Sequence, residues 1–315
     1  MQTLVIWSSG LECIFFLNGH GMTEQQVSLR LNYLSLEYLH QMTYIWVAPK
    51  NSVTLQHLTT LKIRECGKLE VIFPSCVLRS LPELKCLTIS ECMELKQIVG
   101  CEKGASMNPF TFPNLKQLEI FGCPKLEVIF SKYVLRCLPE LNLLQIRKCE
   151  KLKQIIEEDD QKLSNHISPL PCFPKLEALY VGHCHKLKRL FYGSASNDLP
   201  NLHLLIINGA FELEELVGCE QGNCDKIQKS KAELPKLKLL IFMHLSNFHL
   251  DTDLSNVKNR VVYECPKLSL TSTTTLGKLN ESFPYEEGKY YMESSNINCY
   301  WKVVKFFCKI FNFKL

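Results

Sequence analysis

The chain has 315 residues, 46% hydrophobic and 22% charged, with a formal net charge of +4. That length holds one large or two ordinary domains, and the apolar share is enough for a buried core. So small a charge argues against a dedicated nucleic-acid binder, which needs Lys and Arg clustered on one face, and no apolar run of about 18 residues is free of charges, as a transmembrane helix would require.

Residues 1–17 lack a basic leader, and Glu12 interrupts their apolar part, so a signal peptide is not expected. They read instead as a worn copy of a pattern that follows: L-x-x-L-x-I-x-x-C-x-x-L-x-x-I. Leu31, Leu34, Leu36, Leu39, Met42 and Ile45 are its first clear copy, with Leu at the cysteine position. Full copies follow at Leu58–Ile72, Leu84–Ile98, Leu115–Ile129 and Leu141–Ile155, with cysteines at Cys66, Cys92, Cys123 and Cys149. Leu176–Leu190 holds Cys184, Leu202–Leu216 has Ala210 in its place, and Leu237–Phe248 forms another turn. Val257, Val262, Cys265 and Leu268 fit in part, but Arg260 falls on an apolar position, so the repeats are expected to fray or end there. The organisation predicted is a repeat region over 1–270, a loose linker with the run TSTTT over 271–298, and an amphipathic or capping tail over 299–315.

The alternation around L-x-I predicts a short strand with its apolar side inward. The cysteine follows where the chain must bend, a place where a small side chain satisfies backbone groups inside the turn. One unit cannot bury its apolar side chains alone. Stacked neighbours make a continuous core and a parallel sheet. The fold class predicted is therefore α/β, a leucine-rich-repeat solenoid or horseshoe with a parallel β-sheet on its concave face. The cysteine-position residues are 26, 31, 26, 35 and 26 apart. Residues 68–99 match 125–156 at 20 of 32 positions, so a two-repeat unit has been duplicated. The longer repeats insert 99–111, 156–172 and 217–233, polar stretches suited to surface loops. Pro82, Pro113, Pro139, Pro174, Pro200 and Pro235 stand just before the strands, where a missing N–H costs least.

The units resemble the C-terminal leucine-rich repeats of plant intracellular nucleotide-binding disease-resistance proteins, the coiled-coil type above all. Phe112-Pro113-Asn114-Leu115-Lys116-Gln117-Leu118-Glu119-Ile120, Cys123-Pro124-Lys125-Leu126 and their copies carry the resemblance, which covers about residues 25–270. The nucleotide-binding loop of that family is missing, because Gly277-Lys278-Leu279 has neither the preceding glycine spacing nor the hydroxyl residue. Nucleotide binding and hydrolysis are therefore not carried over, and the chain is expected to be a fragment, a truncated paralogue or the product of an incomplete gene model. The resemblance implies a cytoplasmic, non-catalytic protein-recognition module in plant defence, sensing effectors or restraining its receptor. Its partner would be a pathogen effector, a guarded host protein or a receptor signalling domain. The alternative is a general adaptor such as a ubiquitin-ligase substrate receptor, although no F-box-like helical segment precedes residue 25.

Candidate chemistry is thin. His183-Cys184-His185 with Cys219 and Cys224 lacks the paired spacing of a metal site, and Cys184 belongs to the ladder, so no metal is expected. None of the sixteen cysteines is marked out beside a base, so neither a catalytic residue nor a cofactor is expected. The long chain without an export signal favours reduced thiols over disulfides. Glu157–Asp160 reads as a solvated loop. The partner-binding residues predicted are those between the inward Leu and Ile of each strand. They are Lys62, Arg64, Glu119, Phe121, Leu143, Arg147, Tyr180, Leu204, Ile206, Leu239, Ile241 and Met243, a face that turns from polar to apolar along the solenoid. Two outcomes stay open for its apolar half over 143–243: it is the main partner contact, or the C-terminal tail or an upstream domain covers it. On a helix, residues 299–315 would place Lys302, Lys305 and Lys309 opposite Val303, Phe306, Phe307, Ile310 and Phe313. That would suit a membrane surface or a partner groove. The other readings are a cap over the last repeat and non-native sequence.

Overall fold

The computed structural model describes residues 2–7, 10–16, 27–47, 53–74, 81–100, 112–130, 138–156, 173–192, 199–218, 234–250 and 253–275. Ten five-residue strands stack in parallel, in strict chain order, into one sheet: Thr3–Trp7, Tyr33–Glu37, Thr60–Arg64, Cys86–Ser90, Gln117–Phe121, Leu143–Arg147, Ala178–Gly182, Leu204–Asn208, Leu239–Met243 and Asn259–Tyr263. Equivalent repeat positions pair without slippage: Leu61 lies opposite Leu87, Leu87 opposite Leu118, and Leu205 opposite Leu240. The L-x-I spacing sets this register, because slipping by one residue would turn every leucine out of the core. The solenoid and its parallel inner sheet are as the sequence predicts.

Two turns close each coil. Before the strand, the Leu84 N–H donates to the Leu81 carbonyl at 3.3 Å with Pro82 between them, and Phe112–Leu115, Leu138–Leu141 and Phe173–Leu176 repeat the arrangement. Proline presets φ for the second residue of such a turn. After the strand, a residue with positive φ redirects the chain in every coil from the second onward: Tyr38, Glu65, Glu91, Gly122, Lys148, His183, Gly209, His244 and Glu264. In six of these coils the next residue is the ladder cysteine, and Leu39, Ala210 and Leu245 take its place in the other three. The Cys92 thiol donates to the Ser90 carbonyl at 3.5 Å, Cys123 to Phe121 at 3.6 Å and Cys149 to Arg147 at 3.5 Å. Each of those carbonyls also accepts the N–H of the positive-φ residue one coil earlier, as when Glu91 donates to Phe121 at 2.8 Å. The cysteine thus completes the bonding of a strand-terminal carbonyl inside the core. The cysteines of the described residues are free thiols, and Cys66, Cys92, Cys123, Cys149 and Cys184 are fully buried. Hydrogen bonding to the neighbouring ladder thiol, with burial, pushes the Cys66, Cys123 and Cys184 thiols up and keeps them protonated.

The outer side of the coils is also built of short strands, and there is no helix among the described residues. Val71–Pro74 pairs with Gln97–Gly100, Val128–Phe130 with Gln154–Ile156, and Arg189–Tyr192 with Glu215–Gly218. These β-branched and aromatic runs suit a pleated strand more than a helix. Every one of these pairs joins coils 26 residues apart. The longer repeats carry their insertions between such pairs, so the duplicated unit of the sequence is a structural pair of coils. Aromatic rings fill the gap between the two sides, with Phe15, Trp46 and Phe73 stacked in succession, Phe112 meeting Phe73 edge-on, and the Trp46 indole donating to the Ile72 carbonyl at 2.8 Å.

The last coil is closed by polar groups. Arg260 takes the apolar repeat position, and its guanidinium donates to the carbonyls of Ser255 at 2.5 Å, Val257 at 3.0 Å and Thr271 at 2.7 Å. Residues 271–275, where the sequence places the start of the linker, run back along the free edge of the final strand. Ser272 Oγ accepts from the Val262 N–H at 2.8 Å, and Thr273 Oγ1 accepts from the Arg260 N–H at 3.0 Å. The remainder of the linker and the whole 299–315 tail lie outside the described residues.

Candidate functional site

The inner face of the ten-strand sheet is the surface that the fold offers. Strand alternation gives each strand three side chains on this face and two in the core. The central row runs Val5, Ser35, Lys62, Thr88, Glu119, Gln145, Tyr180, Ile206, Ile241, Val261, each residue opposite the next. All twelve residues predicted from the sequence lie on this face.

They divide into two groups. Lys62, Arg64, Glu119, Phe121 and Arg147 are half-buried. Leu143, Tyr180, Leu204, Ile206, Leu239, Ile241 and Met243 are buried, Ile206 and Ile241 completely at 0%. The two outcomes that the sequence leaves open for the apolar half both concern these buried residues. They have the side of the sheet that the sequence assigned, but they are withdrawn from solvent.

The open half is a network of charges and rings. Glu37 accepts from Ser35 Oγ at 2.7 Å and pairs with Lys62 at 3.0 Å. The Ser35 hydrogen bond, then Lys62, hold the Glu37 carboxyl below the usual carboxylate range against the opposing effect of its partial burial. Arg64 pairs with Glu65 at 3.2 Å and lies over the Tyr38 ring at 5.3 Å. Arg147 sits between two rings, 5.1 Å from the Phe121 centroid and 5.8 Å from that of Tyr180. With the Gln145 amide turned so that its oxygen faces Arg147, it accepts from Nε at 2.7 Å and Nη2 at 2.9 Å. The guanidinium is thereby held in one orientation, and burial lowers its pKa.

Trp7 and Val5, on the first strand, are exposed on the same face, Trp7 at 70%. Sequence reasoning missed them because the first coil is a worn copy and its register was not assigned. Gln145 and Asn208 share this face and were not among the predicted residues; the Asn208 side-chain oxygen Oδ1 is buried without a hydrogen-bond partner among the described residues.

At His183-Cys184-His185 the cysteine turns into the core, donating to the Gly182 carbonyl at 3.5 Å. His185 stacks on Phe211 with centroids 4.7 Å apart, and its Nδ1 lies 2.8 Å from the Gly209 carbonyl oxygen. No group of three metal-ligating side chains converges among the described residues. Cys219, Cys224 and Glu157–Asp160 lie outside them. No helix among the described residues is long and apolar enough to cross a membrane.

Comparison with known proteins agrees with this geometry. Residues 1–93 and 94–170 match the leucine-rich repeats of plant disease resistance proteins of the RPS2-like kind. A relative from Arabidopsis thaliana, "Probable disease resistance protein RF9", is 26% identical over 259 residues, covering 76% of this chain and 23% of the relative. The chain therefore spans less than a quarter of the length of the curated relative that it matches.

Proposed function

Because the chain belongs to the leucine-rich-repeat family of plant disease resistance proteins, we propose that it is a non-catalytic recognition module that holds a protein partner on its inner face. The observation that carries this reading is the open half of that face. Its Arg147 is pinned between Phe121 and Tyr180, and an organised Glu37–Lys62 pair lies farther along the same face. Arginine and aromatic side chains dominate protein interfaces, and groups already fixed in one conformation lose little entropy on binding. The partner is a protein: a pathogen effector, a guarded host protein or a signalling domain of the receptor to which such repeats belong. The module works in the cytoplasm, where the ladder thiols stay reduced. Signalling follows from a difference in partner affinity between two receptor states.

The test is recovery of partners from plant extract on the immobilised chain, beside two variants. Lys62→Glu with Arg64→Glu alters the inner face. Lys96→Glu with Lys153→Glu alters the coil edge, where these lysines pair with Glu70 and Glu127. The reading predicts proteins that the wild type and the edge variant retain and the inner-face variant loses. Equal recovery by all three contradicts it. Recovery of ubiquitin-ligase subunits alone would favour the adaptor alternative.

A further inference from the structure

We infer that the edge of the last three described coils holds a slot for an arginine side chain of a partner protein, stacked between Phe211 and Pro266 and bound by the Glu264 carboxylate. The slot comes from the repeat itself. The residue after the ladder position stands at the same place in each coil, and over the last four it is His185, Phe211, Ser246 and Pro266. The first two lie plane on plane, with centroids 4.7 Å apart and 3° between the rings. His185 belongs to the preceding coil, so it covers one face of Phe211, and the other face looks toward the coil of Ser246. There the stack is interrupted, because serine supplies only a hydroxyl. Phe211 is 46% exposed although a ring covers one of its faces.

The interruption is an open cavity of about 480 Å³ lined by Phe211, His244, Ser246, Glu264, Cys265 and Pro266. Phe211 and Pro266 lie two coils apart, so two strand spacings of about 4.8 Å each separate them. A planar group touching both walls at about 3.5–4.0 Å takes up most of that width. The walls are braced. Asn247 Nδ2 donates to the Phe211 carbonyl at 3.1 Å, and Lys267 Nζ donates to Asn247 Oδ1 at 3.1 Å. His185 is held by the 2.8 Å contact of its Nδ1 with the Gly209 carbonyl oxygen. A slot formed in advance loses little freedom when a ligand enters.

The floor sets the chemistry. His244 Nδ1 lies 2.7 Å from Glu264 Oε2, and a carboxylate only accepts, so Nδ1 carries the proton. Hydrogen bonds from Tyr263, then His244, hold the Glu264 carboxyl below the usual carboxylate range, which keeps it an anion at neutral pH. Its two oxygens offer about four acceptor positions, more than those two donors fill. None of the lining residues is Lys or Arg, so with His244 neutral Glu264 is the formal charge of the slot. A guanidinium is planar, positive and rich in donors, and it stacks on aromatic faces. An ammonium has the charge without the plane, and an aromatic side chain the plane without the charge. The slot is on the coil edge, apart from the open middle of the inner face, and its test is independent of that reading.

The experiment is saturation-transfer NMR of the full chain with the peptide acetyl-glycyl-arginyl-glycinamide. The proposal expects saturable binding, weaker by about tenfold or more for the citrulline counterpart, which keeps the plane but not the charge, and for the lysine counterpart. Ser246→Trp puts a ring into the gap and should abolish binding. Glu264→Gln keeps the size of the side chain and should weaken binding about tenfold. Lys62→Glu with Arg64→Glu, on the inner face, should bind as the wild type does. Strand circular dichroism retained in each variant shows that it is folded. No saturable binding of the arginine peptide, equal binding of the citrulline peptide, tighter binding of a phenylalanine counterpart, unchanged binding by Glu264→Gln, or loss of binding in the inner-face variant would overturn the proposal.

Discussion

One residue in each coil after the first carries the bend with positive φ, and seven of those nine are not glycine. An L-residue in that region costs about 1–2 kcal/mol. Glu91 has the further burden of Glu65 as a neighbour; burial first, then Glu65, raise its carboxyl pKa. Glu91→Gly is expected to raise stability by about 1 kcal/mol in denaturant unfolding. Gly209→Ala should lower it by a similar amount, because φ is +65° there and the added Cβ would stand 2.9 Å from His183 Nδ1. His183 itself gives a pH dependence. Burial, then the nearby His185 and Lys148, depress its pKa below the ordinary histidine value, and burial depresses His203 likewise. The folded chain thus prefers neutral rings, and the unfolded chain takes up protons first as the pH falls through about 6.5. Their contribution to stability is complete above that value and is lost as pH falls toward the depressed folded values. Thermal unfolding should move to lower temperature between pH 7.5 and 5, and His183→Gln should flatten that slope. A slope that the substitution leaves unchanged would contradict the assignment.

At the scale of the element, each coil depends on its neighbours. Leu205 is buried between Leu179 and Leu240 in the same register. Leu205→Ala is expected to cost about 2–5 kcal/mol, the usual range for a core leucine that leaves a cavity. No coil follows the last one among the described residues, where Arg260 binds three carbonyls. Arg260→Ala should speed amide exchange of 259–263 while the amides of 117–121 keep their protection, because repeat stability is a sum of local and nearest-neighbour contributions. The coil itself was legible in the sequence. Leucine spacing fixed the inner strands, and the 26-residue spacing marked the coils that pair on the outer side. The role of Arg260 was not legible, since a charge at an apolar position looks like a decayed repeat until its carbonyl partners are placed around it. The short outer strands were also beyond the pattern, because a run such as Val71-Ile72-Phe73 has too few residues to show a period.

For the whole molecule, the inner face has a direction: Trp7 and Val5 exposed at one end, charged and aromatic groups in the open middle, and a buried apolar stretch toward the other. Alternation along each strand predicted which residues share this face, and that part of the site was readable in advance. Which of them meet solvent was not, because exposure depends on chain segments distant in sequence, and periodicity within a coil carries no information about them. The functional account needs the partner to touch the open middle and not the coil edges. Lysine acetylation with and without a recovered partner tests this directly, since Lys62 lies on the inner face while Lys96, Lys125 and Lys153 form ion pairs along the edge. The account predicts that binding shields Lys62 and leaves the three edge lysines as reactive as before. Shielding of the edge lysines with Lys62 unaffected would contradict it.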